Sequence, residues 1–267
     1  ARIKYVAPQV FASRRGRAKV AAAHFTHLLA IHPFDADYLE PHGLETRFVG
    51  NPALERDLSG DGPAFRKRHG VAPDEELLLV LFGSRRSELD RLFKPFADAA
   101  RRLKAERPAL RLVTALAPSI DAEARSRISA EPAFADMAIA GAGERRDAYH
   151  AADLALACSG TVTLELSRTG TPSIAAYRLG WLAWAAARLW LMKAKYISLT
   201  NLAADEALIP EFVQTACTGE RLANQISALL DDPARRTALS QRLLAVTHTM
   251  GGQGGAPSHN AARAILE

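Results

Sequence analysis

The sequence predicts an α/β protein built on a doubly wound parallel sheet, and two observations carry this prediction. First, short apolar runs without polar alternation, of which Leu77–Leu81 is the clearest, are separated by stretches with a helical pattern. Such runs are typical of strands that a parallel sheet buries on both faces. Second, turns rich in Gly and Ser follow two of the runs and lead into helices. Strands that alternate with helices indicate βαβ units, whose ligands bind beyond the carboxyl ends of the strands.

The first part of the chain contains the pattern of an incomplete second domain of the same kind. Strands are predicted at 3–6, 27–31 and 46–49, and helices at 14–24 and 34–39. These are too few elements for a complete domain, so residues 1–55 are interpreted as the remnant of a Rossmann-like domain. Residues 55–76 are interpreted as a linker, because glycine and proline at 60–63 interrupt any regular structure.

Residues 56–267 are predicted to form a complete Rossmann-like domain. Its strands are expected at Leu77–Leu81, 110–116, 137–140, Leu154–Cys158 and Ser173–Tyr177. The helix after the first strand is expected to use Ser84 or Ser87 as its N-cap, with Glu88 in its first turn. Pro95 is expected in the first turn of a helix over 94–106, where proline is tolerated best. Helices are also predicted within 218–250 and after 251–255, and the last helices are candidates to pack back on the N-terminal part.

Two loops between a strand and a helix are candidates for holding a phosphate. The first comprises Gly83, Ser84 and Arg85, and the second comprises Ser159, Gly160 and Thr161. A strand that enters a helix through such a loop presents backbone N–H groups to an anion, and Arg85 adds a cation. Either loop alone has a structural alternative, because short Gly-Ser turns join strands to helices throughout α/β proteins. The two loops together favour a nucleotide diphosphate.

Two further polar residues are candidates for nucleotide contacts. Glu165 lies in the helix that follows the second loop, and its side chain is expected to point back toward the helix start, where a sugar hydroxyl would lie. The alternative is a solvated acid, but Leu164 and Leu166 flank Glu165 and the helix has little other charge. Asn201 follows a strand-like stretch at 196–199, and it either caps the next segment or binds a ligand.

Composition and motifs exclude several classes of protein. The 267 residues carry a net charge of +5, which favours anionic partners, and only two cysteines, which give no disulfide framework and indicate a reducing compartment. Gly141-Ala142-Gly143 begins a dinucleotide fingerprint, but Arg146 occupies the third glycine position. No nucleotide-hydrolysing P-loop and no metal-ligand spacing of histidines is found, so neither a cofactor nor a metal is expected. Nucleic-acid binding has only the net charge in its favour and is not expected.

The stretch 177–196 contains every tryptophan of the chain. These are Trp181, Trp184 and Trp190, with Arg188 among the basic residues around them. The stretch is too short and too charged to span a bilayer, but aromatic and basic residues mixed on one helix suit a lipid headgroup interface. A core helix that buries the rings is an equal alternative from spacing alone. The shared face of Trp181, Trp184 and Arg188 places an arginine where water or lipid phosphate would accommodate it.

Several short motifs run in one order across nearly the whole chain. They are Tyr5-Val6-Ala7-Pro8 with Arg14, Pro33-Phe34-Asp35, Phe48-Val49-Gly50-Asn51-Pro52, Gly83-Ser84-Arg85 with Glu88, Ser159-Gly160-Thr161 with Leu164-Glu165, Tyr177-Arg178, Lys195-Tyr196-Ile197-Ser198-Leu199 with Asn201, and Pro210-Glu211-Phe212-Val213-Gln214. Together they resemble the lipid-A-disaccharide synthases, which are inverting glycosyltransferases of the two-domain GT-B type. The resemblance implies transfer of an acylated glucosamine from UDP to an acylated glucosamine 1-phosphate.

The resemblance also implies roles for individual residues. Ser84, Arg85, Glu88 and the 159–161 loop would hold the UDP diphosphate, Glu165 the ribose, and Asn201 and Gln214 would lie near the donor sugar. The tryptophan-rich stretch would lie on the cytoplasmic face of the inner membrane of a Gram-negative bacterium, where the lipid substrates reside. Relative to the family, the first third of the chain is absent, and the general base is expected there. A homodimer or a complementing N-terminal chain is a further expected partner.

Other functions remain open at this point. A non-catalytic module that binds a UDP-sugar would carry the same loops. A UDP-sugar epimerase of similar fold is a weaker alternative, because a soluble epimerase has no need of a basic tryptophan-rich helix.

Overall fold

The chain forms two compact units, which are described separately. The computed structural model describes residues 1–8, 16–180, 184, 195–251 and 255–267. The first unit comprises residues 1–57, 180–207 and 245–267, and the second comprises 58–179 and 208–244. This division differs from the sequence-based boundary at residue 55, because the chain returns to the first unit at residue 180 and again at residue 245.

The first unit contains a parallel three-stranded sheet in the order β1-β2-β3. Its strands are β1 (Ile3–Tyr5), β2 (His27–Ala30) and β3 (Glu45–Phe48), and its helices are α1 (Gly16–His24), α2 (Asp35–Leu39), Leu199–Ala204 and Pro257–Leu266. Leu28, Leu39 and Leu44 are completely buried between the sheet and the helices. This part of the prediction is confirmed apart from the exact ends of the strands.

The second unit is a six-stranded parallel sheet. Its strands are β4 (Leu77–Leu81), β5 (Arg111–Thr114), β6 (Ala138–Ile139), β7 (Leu154–Cys158), β8 (Ser173–Tyr177) and β9 (Glu211–Val213). Their spatial order is β6-β5-β4-β7-β8-β9, and every neighbouring pair is parallel. This is the strand order of a doubly wound nucleotide-binding sheet, in which the direction of winding reverses between β4 and β7. The predicted fold class is therefore confirmed.

Helices cover both faces of this sheet, which explains why β4 and β7 have no polar alternation. The helices are α3 (Gly62–Arg68), α4 (Arg86–Glu106), α5 (Asp121–Ala130), α6 (Arg145–Ala151), α7 (Thr161–Arg168) and Gly219–Leu230, and Pro233–Thr249 follows them. On one face, Leu78 and Val80 pack with α4, α5 and Gly219–Leu230. On the other face, Leu77 and Leu79 pack with α3, α6 and α7. All five residues of β4 are buried as a result.

Three local predictions of secondary structure are wrong, and one strand was missed. Pro95 lies inside the continuous helix α4, where it is buried together with Leu92 and Phe96 of the same helix, so packing outweighs the local preference. Residues 62–68 of the supposed linker form α3. Residues 196–199 are not a strand, because a helix begins at Leu199 with Ser198 as its N-cap. Strand β9 was not predicted, because three residues of mixed polarity give no periodic signal.

Candidate functional site

The two predicted loops lie where the sheet of the second unit reverses its winding, the position at which open α/β sheets form a ligand-binding crevice. Strands β4 and β7 are neighbours, with Leu81 paired to Ala157, so both loops leave the same edge of the sheet. Helix α4 then packs on one face and α7 on the other. A β-carbon built on Gly83 would lie 3.2 Å from the Cys158 sulfur, which shows how closely the two strand ends approach. Ligands of open α/β sheets bind at this reversal point.

The Glu88 carboxylate organises the first loop. Its Oε2 accepts hydrogen bonds from the backbone N–H of Ser84 at 2.8 Å and of Arg85 at 3.1 Å. Its Oε1 accepts a hydrogen bond from Arg85 Nη1 at 2.8 Å. The N-cap of α4 is therefore Arg85, and neither predicted serine serves, because Glu88 returns from the first turn to satisfy these donors. In this arrangement Glu88 shapes the loop and orients the guanidinium of Arg85.

A third loop braces the first one, and sequence analysis missed it. Ser119 lies in the segment that follows β5, the other neighbour of β4. Its hydroxyl donates a hydrogen bond of 2.5 Å to the backbone carbonyl of Ser84. The only sequence signal was a Pro-Ser pair after an apolar run, which is common at strand ends.

The second loop presents open backbone donors. Gly160 is extended, with φ 164°, and has no atom within 4 Å of the position of a β-carbon. In the described part of the chain, the backbone N–H groups of Gly160, Thr161 and Val162 have no hydrogen-bond acceptor. They lie at the N-terminus of α7, where the helix dipole favours an anion. The backbone N–H groups of this loop and the exposed guanidinium of Arg85 can therefore donate hydrogen bonds to an anion. The N–H groups of the first loop already donate to Glu88.

Glu165 belongs to a chain of hydrogen bonds that the sequence did not suggest. Tyr149 donates its hydroxyl proton to Glu165 Oε2 at 2.9 Å, and Arg145 Nε donates to the Tyr149 oxygen. Arg145 Nη2 also lies 3.6 Å from Glu165 Oε2. Burial raises the pKa of the Tyr149 phenol, so this group remains a proton donor at neutral pH. The alternative of a fully solvated acid at 165 does not fit this arrangement.

The cysteine at the end of β7 is buried. Burial, followed by the nearby Glu88 carboxylate, raises the pKa of the Cys158 thiol to about 12. Burial also raises the pKa of Tyr177, with smaller effects of Cys158 and Glu88. The groups at this edge of the sheet are thus neutral beneath the Arg85–Glu88 pair, and the thiol is inert.

The two residues expected near a donor sugar occupy different surroundings. Asn201 is fully buried in the first unit, and Ser198, not Asn201, caps its helix. Gln214 lies in the second unit with φ 52°, a conformation that non-glycine residues rarely adopt. Its side-chain amide bonds both backbone groups of Leu179, at the end of the segment after β8. Their contact with a donor sugar stays a prediction.

The tryptophan-rich stretch falls largely outside the described residues. This applies to Trp181, Arg188 and Trp190, and also to Arg14 of the first motif. Trp184 is half-buried, and its backbone N–H donates to the carbonyl of Gly180 at 2.8 Å. Among the described residues, no helix has the length and apolar character to cross a membrane.

Comparisons with known proteins place this chain in a family. The family model described as lipid-A-disaccharide synthetase matches residues 1–260. The lipid-A-disaccharide synthase of Rhodospirillum centenum is 38% identical over 265 residues, which cover 99% of this chain and 66% of that protein. The chain thus spans about two thirds of the length of this relative.

Solved structures show the same fold at low identity. The UDP-GlcNAc 2-epimerase from Neisseria meningitidis, bound to UDP-GlcNAc, aligns with a TM-score of 0.61 at 12% identity over 93% of this chain and 64% of that one. WaaG, a glycosyltransferase involved in lipopolysaccharide biosynthesis, aligns with a TM-score of 0.53 at 15% identity over 90% of this chain and 62% of that one. At these identities the likeness shows the α/β fold of GT-B type and nothing finer. The match to the family model over residues 1–260 shows that the chain belongs to the lipid-A-disaccharide synthetase family.

Proposed function

We propose that this chain carries the nucleotide-sugar site of a hexosyltransferase of lipid A synthesis. The reaction joins UDP-2,3-diacylglucosamine to 2,3-diacylglucosamine 1-phosphate and releases UDP and a disaccharide 1-phosphate. The proposal rests on the family membership and on the crevice between β4 and β7. The open N–H groups of Gly160 and Thr161 flank it together with the guanidinium of Arg85.

The chemistry explains why such a crevice suits the reaction. When the bond between the sugar and UDP breaks, negative charge grows on the departing diphosphate. Donors that are already oriented toward that charge lower the barrier without reorganising. Glu88 holds the Arg85 guanidinium before any ligand arrives, and the start of α7 presents fixed backbone N–H groups. We propose that these groups suffice without a metal, so that activity persists in a chelator such as EDTA.

The remaining residues take supporting roles in the proposal. Ser84, Ser159 and Thr161 line the diphosphate site and Glu165 accepts the ribose hydroxyls, while Asn201 and Gln214 lie near the donor sugar. The acceptor is a lipid, so the protein is proposed to work at the inner face of the inner membrane. Trp181, Trp184, Arg188 and Trp190 are proposed to face the headgroups there. A homodimer or a second chain that completes the site is a further proposed partner.

The experiment that tests the proposed function is an assay of UDP release. The chain is incubated with UDP-2,3-diacylglucosamine and the lipid acceptor in mixed micelles, alone and beside a full-length family member. Disaccharide formation that depends on both substrates supports the transferase. If the chain binds UDP but forms no disaccharide under either condition, the non-catalytic module is favoured. Absence of UDP binding would overturn the proposal.

A further inference from the structure

The hydrogen-bond chain behind Glu165 carries one inference beyond the proposed function, on whose assignment of a nucleotide to the crevice it rests. Three side chains from two helices form it: Arg145 and Tyr149 of α6, and Glu165 of α7. We infer that Arg145 and Tyr149 are positioning residues that fix the Glu165 carboxylate for recognition of the ribose hydroxyls, and so make the site select ribonucleotides.

The first argument is the direction of the hydrogen bonds. Arg145 Nε is a donor only, so the Tyr149 oxygen accepts from it and the phenol proton is left to donate to Glu165 Oε2 at 2.9 Å. The guanidinium also lies over the Tyr149 ring, 5.7 Å from its centroid. Each of these two hydrogen bonds therefore has a single possible direction, from Arg145 to Tyr149 and from Tyr149 to the Glu165 carboxylate.

The second argument is rigidity. Tyr149 is 1% exposed and belongs to the core cluster that also contains Phe65, Val162 and Leu166. A carboxylate bonded to a buried, tightly held phenol cannot swing freely as a surface glutamate does. A fixed acceptor lowers the entropy lost when a ligand binds.

The position of Glu165 on α7 suits this role. Helical side chains lean toward the N-terminus of their helix, which directs Glu165 toward the first turn of α7 and the open N–H groups at its start. The Glu165 side chain is 22% exposed and that of Arg145 is 43% exposed, so these two side chains reach the surface while Tyr149 between them is buried.

The test compares the affinities of UDP and 2′,3′-dideoxy-UDP by calorimetry. We expect the wild-type chain to prefer UDP by about tenfold or more, since each hydrogen bond to a charged group has a substantial net effect. In Tyr149→Phe, which keeps the ring and removes the hydroxyl, the preference should fall below about threefold, because UDP binds more weakly while dideoxy-UDP is unaffected. Arg145→Gln, at a half-exposed position, should reduce the preference in the same direction.

Thr171→Val is the matched control. It removes the hydrogen bond from the Thr171 hydroxyl to the Tyr149 backbone carbonyl and leaves the phenol in place. It should therefore keep the full preference for UDP over dideoxy-UDP, with a loss of thermal stability similar to that of Tyr149→Phe. If Tyr149→Phe does not fold, Arg145→Gln decides the question. An unchanged preference in the variants, or an equal loss of affinity for both nucleotides, would overturn the inference and leave the proposed function intact. Equal binding of both nucleotides by the wild type would also overturn it, whereas no UDP binding at all would refute the proposed function itself.

Discussion

Replacing Arg85 with alanine isolates the cation of the crevice from its backbone donors. The guanidinium is 77% exposed and touches Glu88 at 2.8 Å. An exposed ion pair contributes only about 0–1 kcal/mol, so the free energy of unfolding should change little. Contacts between a guanidinium and a diphosphate are charge-assisted, and the lower end of their usual range, about 1.5 kcal/mol, suits a group this exposed. UDP affinity should therefore fall about tenfold.

Arg86→Ala provides a matched control for this measurement. Arg86 is adjacent in sequence, has the same side-chain exposure of 77%, and pairs with Glu123 of α5 at 3.2 Å. Calorimetric titration with UDP at low salt should show the loss for Arg85→Ala and little change for Arg86→Ala. The difference between the two variants should shrink in 0.5 M salt, because ions screen exposed charges. Equal affinities of wild type and Arg85→Ala, or equal losses in both variants, would refute the assignment.

Three further predictions follow from local geometry. Gly160→Ala should keep its stability within about 0.5 kcal/mol, since no atom lies within 4 Å of the new methyl, yet lower UDP affinity in the same titration by crowding the Thr161 N–H. Gly83→Ala should lose roughly 1–3 kcal/mol in thermal unfolding, because Gly83 has φ +98° and its β-carbon would lie 2.4 Å from Glu88 Oε2. Burial raises the pKa of the Asp35 carboxyl from 3.8 to about 6. The folded state thus favours the protonated acid, and this stabilisation is complete below pH 4 and lost as the pH rises to about 6. Relative to Asp35→Asn, the wild type should lose roughly 2 kcal/mol between pH 4 and pH 7 in urea unfolding, and a constant difference would contradict this.

The parts of the fold that sequence predicted well are those fixed by local pattern. Leu77–Leu81 and Leu154–Cys158 are strands with the predicted bounds, because an uninterrupted apolar run of five residues between turn signals suits a sheet covered on both faces. The Gly-Ser turns after them had to lie at strand ends for the same reason. The position of both loops at one edge follows from the parallel pairing of β4 and β7.

The parts that sequence could not predict depend on contacts between distant residues. The local preference of proline predicts a helix start at Pro95, but packing of α4 against the sheet keeps Pro95 inside a helix. The bond from Tyr149 to Glu165 joins two helices across a strand, and no periodicity announces it. The resemblance implies that Glu88 holds a diphosphate, and only the structure shows that its oxygens already accept hydrogen bonds from the loop N–H groups. Such bonds depend on side-chain geometry that residue spacing does not specify.

The central claim is that the diphosphate of a UDP-sugar binds between β4 and β7 at the start of α7. The most direct measurement is titration of the ¹⁵N-labelled chain with UDP, followed by amide chemical shifts. The account predicts that the amides of Gly160, Thr161 and Val162 show the largest changes and saturate with one dissociation constant. Saturable UDP binding that leaves these amides unshifted and moves others, remote from the crevice, would contradict it.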